Sequence, residues 1–324
     1  MPNARPPRLL QIVATLAAFA LLAGCGEQEP PASSAPLFAS ASAAAPSSAA
    51  AAPPSSAPAP TSAAPVAIPA GVTAGIVIYD RQTKSYVLQQ KGAWRFRSAS
   101  LVKLLIALDY FWNKGPSYSV PPADQPNLQV MLRSSDDAAA TGLWKANGQR
   151  DIVTRMVQRL GLQDTAPPPV SQPGYWGYTA VSAADLVRVY QYILDKAPAP
   201  VRTFIMGNLH QTTKCGTDHY DQSFGIPSVF KAPRAAKQGW SGFGDNPATP
   251  CVANAAYTIE NAALAPNNPD MMGEVLHTTG TVGENDRYIV AVLSVHPDGS
   301  QFSKAAANLT KIVKALPLPA SLDL

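Results

Sequence analysis

Ser100 and Lys103 stand three residues apart at the head of an apolar run, Leu101 to Leu108, in which Lys103 is the only charged residue. On a helix, positions three apart share a face, so the hydroxyl and the ammonium meet. A helix apolar on every side is buried, and a buried ammonium is costly unless it is neutralised, paired or used. The use open to this pair is nucleophile activation. A desolvated lysine takes the serine proton, and the positive end of the helix favours the alkoxide that forms. The same residues also fit a plain helix cap at Ser100 with a snorkelling Lys103, and the spacing alone recurs by chance. Partners elsewhere in the chain must decide.

The elements that would position this pair can be read from periodicity. Gly71–Tyr79 and Ser85–Gln90 read as strands joined by the polar turn Asp80–Lys84. The helix opened by Ser100 follows. Helices are expected over Pro126–Arg133, Ala138–Lys145, Asp151–Leu160, Ser182–Asp195 (with Ser182 as cap) and Pro200–His210. A polar break at Ser134–Asp137 and a Pro-rich loop over Thr165–Tyr175 interrupt them. Ala235–Ser241, Gly273–Val282 and Tyr288–Val295 read as strands, and Ser303–Leu316 as a closing helix. Strands at both ends and helices between them predict an α/β sandwich: one antiparallel sheet built from both ends of the domain, plus a helical subdomain, with a cleft where they meet.

The ends of the chain read differently. Arg5 and Arg8 precede an apolar stretch, Leu9–Leu22, that is short for a bilayer span and closes on Leu22-Ala23-Gly24-Cys25. That closing tetrapeptide resembles a bacterial lipobox, which implies a signal peptide over residues 1–24, cleavage before Cys25 and lipidation of its thiol; an ordinary secretory signal is the alternative. Either outcome is export, and lipidation places the protein on the outer face of the bacterial cytoplasmic membrane with its domain in the cell wall. Residues 25–68, almost wholly Ala, Pro and Ser from residue 27, read as a disordered tether. Residues 69–324 are the folded domain. A net charge of +4 with no basic cluster gives no sign of a nucleic-acid partner. In an exported chain Cys215 and Cys251 are expected to pair as a disulfide worth roughly 3–4 kcal/mol. The four histidines show no ligand spacing, so no metal is expected, and nothing calls for an organic cofactor.

Three motifs in order carry a resemblance. Phe96-Arg97-Ser98-Ala99-Ser100-Leu101-Val102-Lys103 resembles the F-x-x-x-S-x-x-K of serine β-lactamases and penicillin-binding proteins. Met131-Leu132-Arg133-Ser134-Ser135-Asp136-Asp137-Ala138 resembles the segment around their S-D-N, and Ala236-Lys237-Gln238-Gly239-Trp240 their K-T-G strand. The resemblance spans residues 70 to 318 or so. It implies Ser100 as nucleophile, Lys103 as its proton acceptor, Ser135 as a relay to the leaving nitrogen, and Lys237 as its electrostatic support. It also implies an oxyanion hole from the backbone N–H groups of Ser100 and Trp240. His277-Thr278-Thr279-Gly280-Thr281 is a rival for the third motif, but in the family two strands and a helix follow that strand, which matches Lys237. A Ser135–Asp136 helix break and cap is the plain alternative for the second motif.

The pattern breaks at three places. Asp137 replaces an asparagine whose amide would donate to a substrate carbonyl; an ionised Asp only accepts. Gln238 replaces the small hydroxyl residue that helps hold a substrate carboxylate. The loop that should carry a deacylating Glu offers only Asp164, and no Glu occurs between Pro30 and Thr258. The resemblance therefore implies a serine acyl-hydrolase or transpeptidase-like protein that does not hydrolyse penicillins efficiently and acts on a peptidoglycan peptide or another acyl substrate. The alternative is a non-catalytic module of the same fold that binds peptidoglycan or a protein partner.

Overall fold

The computed structural model describes residues 63–252 and 273–323. Cys25, the leader and most of the expected tether lie outside the described residues. Strands β1 (Thr73–Asp80) and β2 (Ser85–Gln90) form a hairpin. A two-residue strand β3 (Phe96–Arg97) leads into the nucleophile turn and helix α1 (Lys103–Trp112). The helical half continues with α2 (Gln125–Arg133), α3 (Asp137–Ala146) and α4 (Arg150–Leu160). After the short strand β4 (Ala180–Val181) come α5 (Ala183–Gln191), extended by a π-turn over Tyr192–Lys196, then α6 (Ala199–Leu209) and α7 (Ile226–Val229). The chain returns to the sheet as β5 (Arg234–Ser241), β6 (Glu274–Val282) and β7 (Tyr288–His296) and closes with α8 (Phe302–Lys314).

The large sheet is antiparallel in the order β2-β1-β7-β6-β5, so both ends of the domain meet at its centre, where Thr73–Asp80 pairs with Tyr288–Val295. Its middle strands are apolar on both faces because both faces are covered. On β7, Ile289, Ala291 and Leu293 face the core shared with α1, α5 and the helical half, whereas Val290 and Val292 face α8 and α7. Helix α8 alternates accordingly, burying Ala305, Leu309, Ile312 and Val313 while its lysines stay out. Helix α1 runs through the middle of the first core with every residue from Lys103 to Phe111 buried.

The structure extends the sequence reading in two places. Residues 63–68, expected in the tether, lie against β2: Ala63 N–H donates to Val87 at 3.1 Å and Val66 N–H to the Gln90 side chain at 2.8 Å. The small β3–β4 ribbon, too short for any periodicity to show, pairs Phe96 with Val181 and Arg97 with Ala180, and so fixes the approach to Ser100.

Candidate active site

The nucleophile turn, Ala99–Val102, is a tight 3₁₀ turn that feeds directly into α1. It is gripped from two sides. Ser98 N–H donates to Thr179 at 2.7 Å beside the β3–β4 ribbon. On the other side edge strand β5 passes so close that a Cβ on Gly239 would meet the Ser98 carbonyl oxygen at 3.0 Å and Leu101 at 3.1 Å. Glycine is required there by space rather than by backbone angle. Ala99 sits at φ +44°, a left-handed conformation that costs a non-glycine residue about 1–3 kcal/mol.

Lys103 is fully buried, and its ammonium donates to Ser100 Oγ at 2.7 Å, to the Ser135 carbonyl at 2.5 Å and to Asp137 Oδ1 at 2.5 Å. Three acceptors match the three N–H bonds of an ammonium. The Trp176 ring covers it, with its centroid 4.8 Å from Nζ. The indole is itself held by Thr141, which accepts from Nε1 at 3.1 Å. Lys237 reaches in from β5 and donates to Ser135 Oγ at 2.7 Å and to the Gln238 carbonyl at 3.1 Å. Burial, and then repulsion from the Lys103 ammonium, hold Lys237 well below the ordinary lysine range, with Asp137 and Asp218 opposing. Ser100, Lys103, Ser135 and Lys237 thus form one continuous hydrogen-bonded chain.

Ser135 earns this place through its backbone. At φ +60° it stands between α2 and α3 in the left-handed region, while the next residue, Asp136, caps α3 by accepting Ala139 N–H at 2.7 Å. The segment is therefore a helix break and cap, and the break is what turns Ser135 toward the lysines. A loop from the other side of the cleft clamps it. Thr213 N–H donates to the Arg133 carbonyl at 3.1 Å, Thr217 N–H to the Ser134 carbonyl at 2.9 Å, and Gln222 Nε2 to the Arg133 carbonyl at 2.8 Å. The disulfide Cys215–Cys251 ties this loop to the segment after β5. The loop also brings Asp218, which had no sequence signal, to the site. Asp218 accepts Trp240 Nε1–H at 2.8 Å and Tyr220 N–H at 3.2 Å. Burial and the nearby Asp137 raise its carboxyl above the usual range.

Of two residues expected to touch substrate through their side chains, one is engaged within the site and the other is turned away from it. Asp137 is ion-paired to Lys103. Gln238 lies on the opposite face of β5 from Lys237, fully buried, with its Nε2 donating to the Gln222 and Phe224 carbonyls at 3.1 and 2.6 Å. Its amide is therefore absent from the position of the family hydroxyl. The Trp240 side chain shares that face and packs among Tyr220, Phe224 and Phe302. Asp164 accepts Ser182 Oγ–H at 2.9 Å and serves the start of α5. The rival His277 is buried in β6; its Nε2 lies 2.9 Å from the Arg97 carbonyl and its Nδ1 accepts Ser294 N–H at 3.2 Å, which assigns the Nε2–H tautomer. A Cβ on Gly280 would collide with the Ala235 backbone of the neighbouring strand, so that glycine answers to strand packing. Among the described residues no group of three or more His, Cys, Asp or Glu could hold a metal ion, and no helix is long and apolar enough to cross a membrane.

The fold and the order of its motifs are those of the serine β-lactamases and penicillin-binding proteins. Solved structures of that class superpose over 76% of the chain: PBP-A at 15% identity, covering 89% of that protein (TM-score 0.53), an ancestral class A β-lactamase at 12%, covering 93% (0.55), and the class A β-lactamase of Mycobacterium abscessus at 14%, covering 92% (0.53). Within that class the chain belongs to the family of the mycobacterial protein named "Putative lipoprotein LppW". It is 32% identical to the Mycobacterium tuberculosis and Mycobacterium bovis proteins over 256 residues, 77% of this chain and 71% of theirs. No family model matches the sequence.

Proposed function

We propose that the domain is a cell-envelope serine acyl-hydrolase, transpeptidase-like in its chemistry, carried on the outer face of the cytoplasmic membrane by lipidated Cys25 and working in the cell wall on a peptidoglycan peptide or another acyl substrate. The observation that carries this reading is the buried Lys103 donating to Ser100 Oγ at 2.7 Å, with Ser135 joined to the same chain by Lys237. What supports a reactive role over a structural one is that two lysines share one relay hydroxyl, Lys103 at 3.4 Å and Lys237 at 2.7 Å from Ser135 Oγ. In the proposed cycle Ser100 attacks the acyl carbon, and Lys103 takes the Ser100 proton as it gives one of its own to Ser135 Oγ, 3.4 Å away. Ser135 passes a proton to the leaving group under the influence of Lys237. The backbone N–H groups of Ser100 and Trp240 receive the oxyanion, a contribution of a few kcal/mol (about 3) for such donors.

The same geometry argues against efficient penicillin hydrolysis. Asp137 presents a carboxylate where an amide donor is needed, and Gln238 is turned to the far face. The lipoprotein name of the relatives supports the anchor. For one PBP-A variant a penicillin G acyl-enzyme is described, which supports serine acylation as chemistry this fold can perform. The test is a fluorophosphonate, in which serine attack on phosphorus expels fluoride, followed by intact mass and peptide mapping. The expected result is labelling at Ser100 and none in Ser100→Ala, with penicillin G left unhydrolysed. An unlabelled Ser100 in the folded protein would replace this reading with the non-catalytic binding module.

A further inference from the structure

The loop that would supply a deacylating carboxylate in the family has none to offer here, yet the site is not without one. Around the nucleophile, Asp164 is spent on Ser182, Asp136 on the cap of α3, and Asp218 on Trp240 and Tyr220. Among the carboxylates of the described residues Asp137 alone places an oxygen directly on Lys103 Nζ, at 2.5 Å, and Lys103 is in turn 2.7 Å from Ser100 Oγ. The Asp137 carboxylate is thus two hydrogen bonds, at most about 5 Å, from the atom that would carry an acyl group. Its side chain is 61% exposed, and Oδ2 makes no hydrogen bond to the described residues. One oxygen is tied to the ammonium, and the other is left without a protein partner among the described residues on a largely exposed side chain.

We propose that Asp137 is the general base that hydrolyses acyl-Ser100, so that the function supplied from a loop in class A enzymes is supplied here from the first residue of α3. This rests on the reading of Ser100 as nucleophile. Water held at Oδ2 attacks the ester carbonyl as Asp137 takes one of its protons, and the C=O π electrons move onto the oxyanion. When the tetrahedral intermediate collapses, the bond from carbon to Ser100 Oγ breaks and Lys103 delivers a proton to Oγ. The proton on Asp137 then returns to Lys103 across their contact. The products are the free acid and the original Ser100 hydroxyl, Lys103 ammonium and Asp137 carboxylate. An asparagine at this position could hold Lys103 through its carbonyl oxygen but could not take a proton. The consequence is a hydrolase that turns over, not one that stalls as its acyl-enzyme.

The experiment is p-nitrophenyl acetate turnover by the full-length protein, with intact mass recorded in parallel. The wild type should turn over steadily without an accumulating adduct. Asp137→Asn should release a burst of about one p-nitrophenolate per Ser100 and then turn over about 100-fold more slowly. It should carry an acetyl group on Ser100 that hydroxylamine removes. Asp137→Glu should recover part of the turnover, and Ser100→Ala should show neither burst nor adduct. Fluorophosphonate labelling of Asp137→Asn at Ser100 establishes that the variant is folded. Wild-type turnover by Asp137→Asn, or a burst and turnover that fall together with no trapped ester, would overturn the assignment. An adduct on Ser100 in no variant would bring down the nucleophile reading and this inference with it.

Discussion

Helix α1 buries one charge at each end, and the two are treated in opposite ways. At the C-terminal end Asp109, with no exposed surface, receives Arg155 through Nε at 2.9 Å and Nη2 at 2.7 Å, and Arg159 at 3.3 Å. Planar guanidinium forks fix the carboxylate from two directions, and both arginines reach water with their far sides. At the N-terminal end Lys103 is equally buried, but its partners are a serine hydroxyl, one carbonyl and a carboxylate open to the cleft. Nothing there is bidentate, and a second lysine stands one hydroxyl away. Asp109 is over-determined by its partners. Lys103 sits among groups that can exchange protons with it. Burial of a charge therefore says little about its role; the rigidity and replaceability of its partners say more.

This contrast can be broken from its functional side first. Lys103→Met keeps volume and apolarity while removing the proton acceptor, and the carboxylate it leaves without a partner, Asp137, is largely exposed and can be solvated. The expected outcome is a loss of ester turnover of about 10⁴-fold with a melting temperature unchanged or raised; a variant that melts far lower while labelling normally with fluorophosphonate would make Lys103 structural. Asp109→Ala should do the reverse. It leaves two guanidiniums beside a buried gap, and since both touch solvent the loss should lie at the lower end of the range for broken buried pairs, about 3 kcal/mol. In thermal unfolding that is a fall of roughly 6–12 °C, with turnover per folded molecule preserved.

A smaller effect sharpens the comparison with a third buried ionisable group. His277 supports the Arg97 carbonyl just ahead of the nucleophile turn, and burial above all holds its imidazole down at about 4. A folded value below the unfolded one means that the unfolded chain binds the proton more readily. Stability from His277 is therefore complete above about pH 6.5 and drains as the pH falls toward 4, with about 2 kcal/mol lost by pH 5. His296, held near 4 by burial, acts with the same sign. In His277→Gln the fall in melting temperature between pH 7 and pH 5 should be shallower than in the wild type. An unaltered slope would mean that the imidazole is protonated in the fold.

The sequence carried the elements that repeat and missed those that depend on a single angle or a distant loop. The all-apolar stretch after Ser100, the alternation of α8 and the two-faced strand at Tyr288 announced themselves through period and composition. So did the pairing of Ser100 with Lys103, since three residues on a helix fix a neighbourhood. Ser135 did not, because its seat depends on one left-handed residue and on contacts with Thr213 and Thr217. Asp218 and Trp176 are brought to Lys103 by loops, and no local pattern predicts where a loop will fold back. The orientation of Gln238 is legible in the strand period: adjacent residues on a strand point to opposite faces, so Lys237 in the cleft favours Gln238 behind it.

The tie between Cys215 and Cys251 closes a ring that includes Thr217 and Gln222, two of the residues that hold the backbone at Ser134 and Arg133. Ser135 thus stands next to a segment whose anchorage is covalent. In a compartment that keeps thiols reduced, the same chain would keep every one of its reactive groups while this turn was held by hydrogen bonds alone. Oxidation thus adds a covalent tie beside a turn that hydrogen bonds otherwise hold.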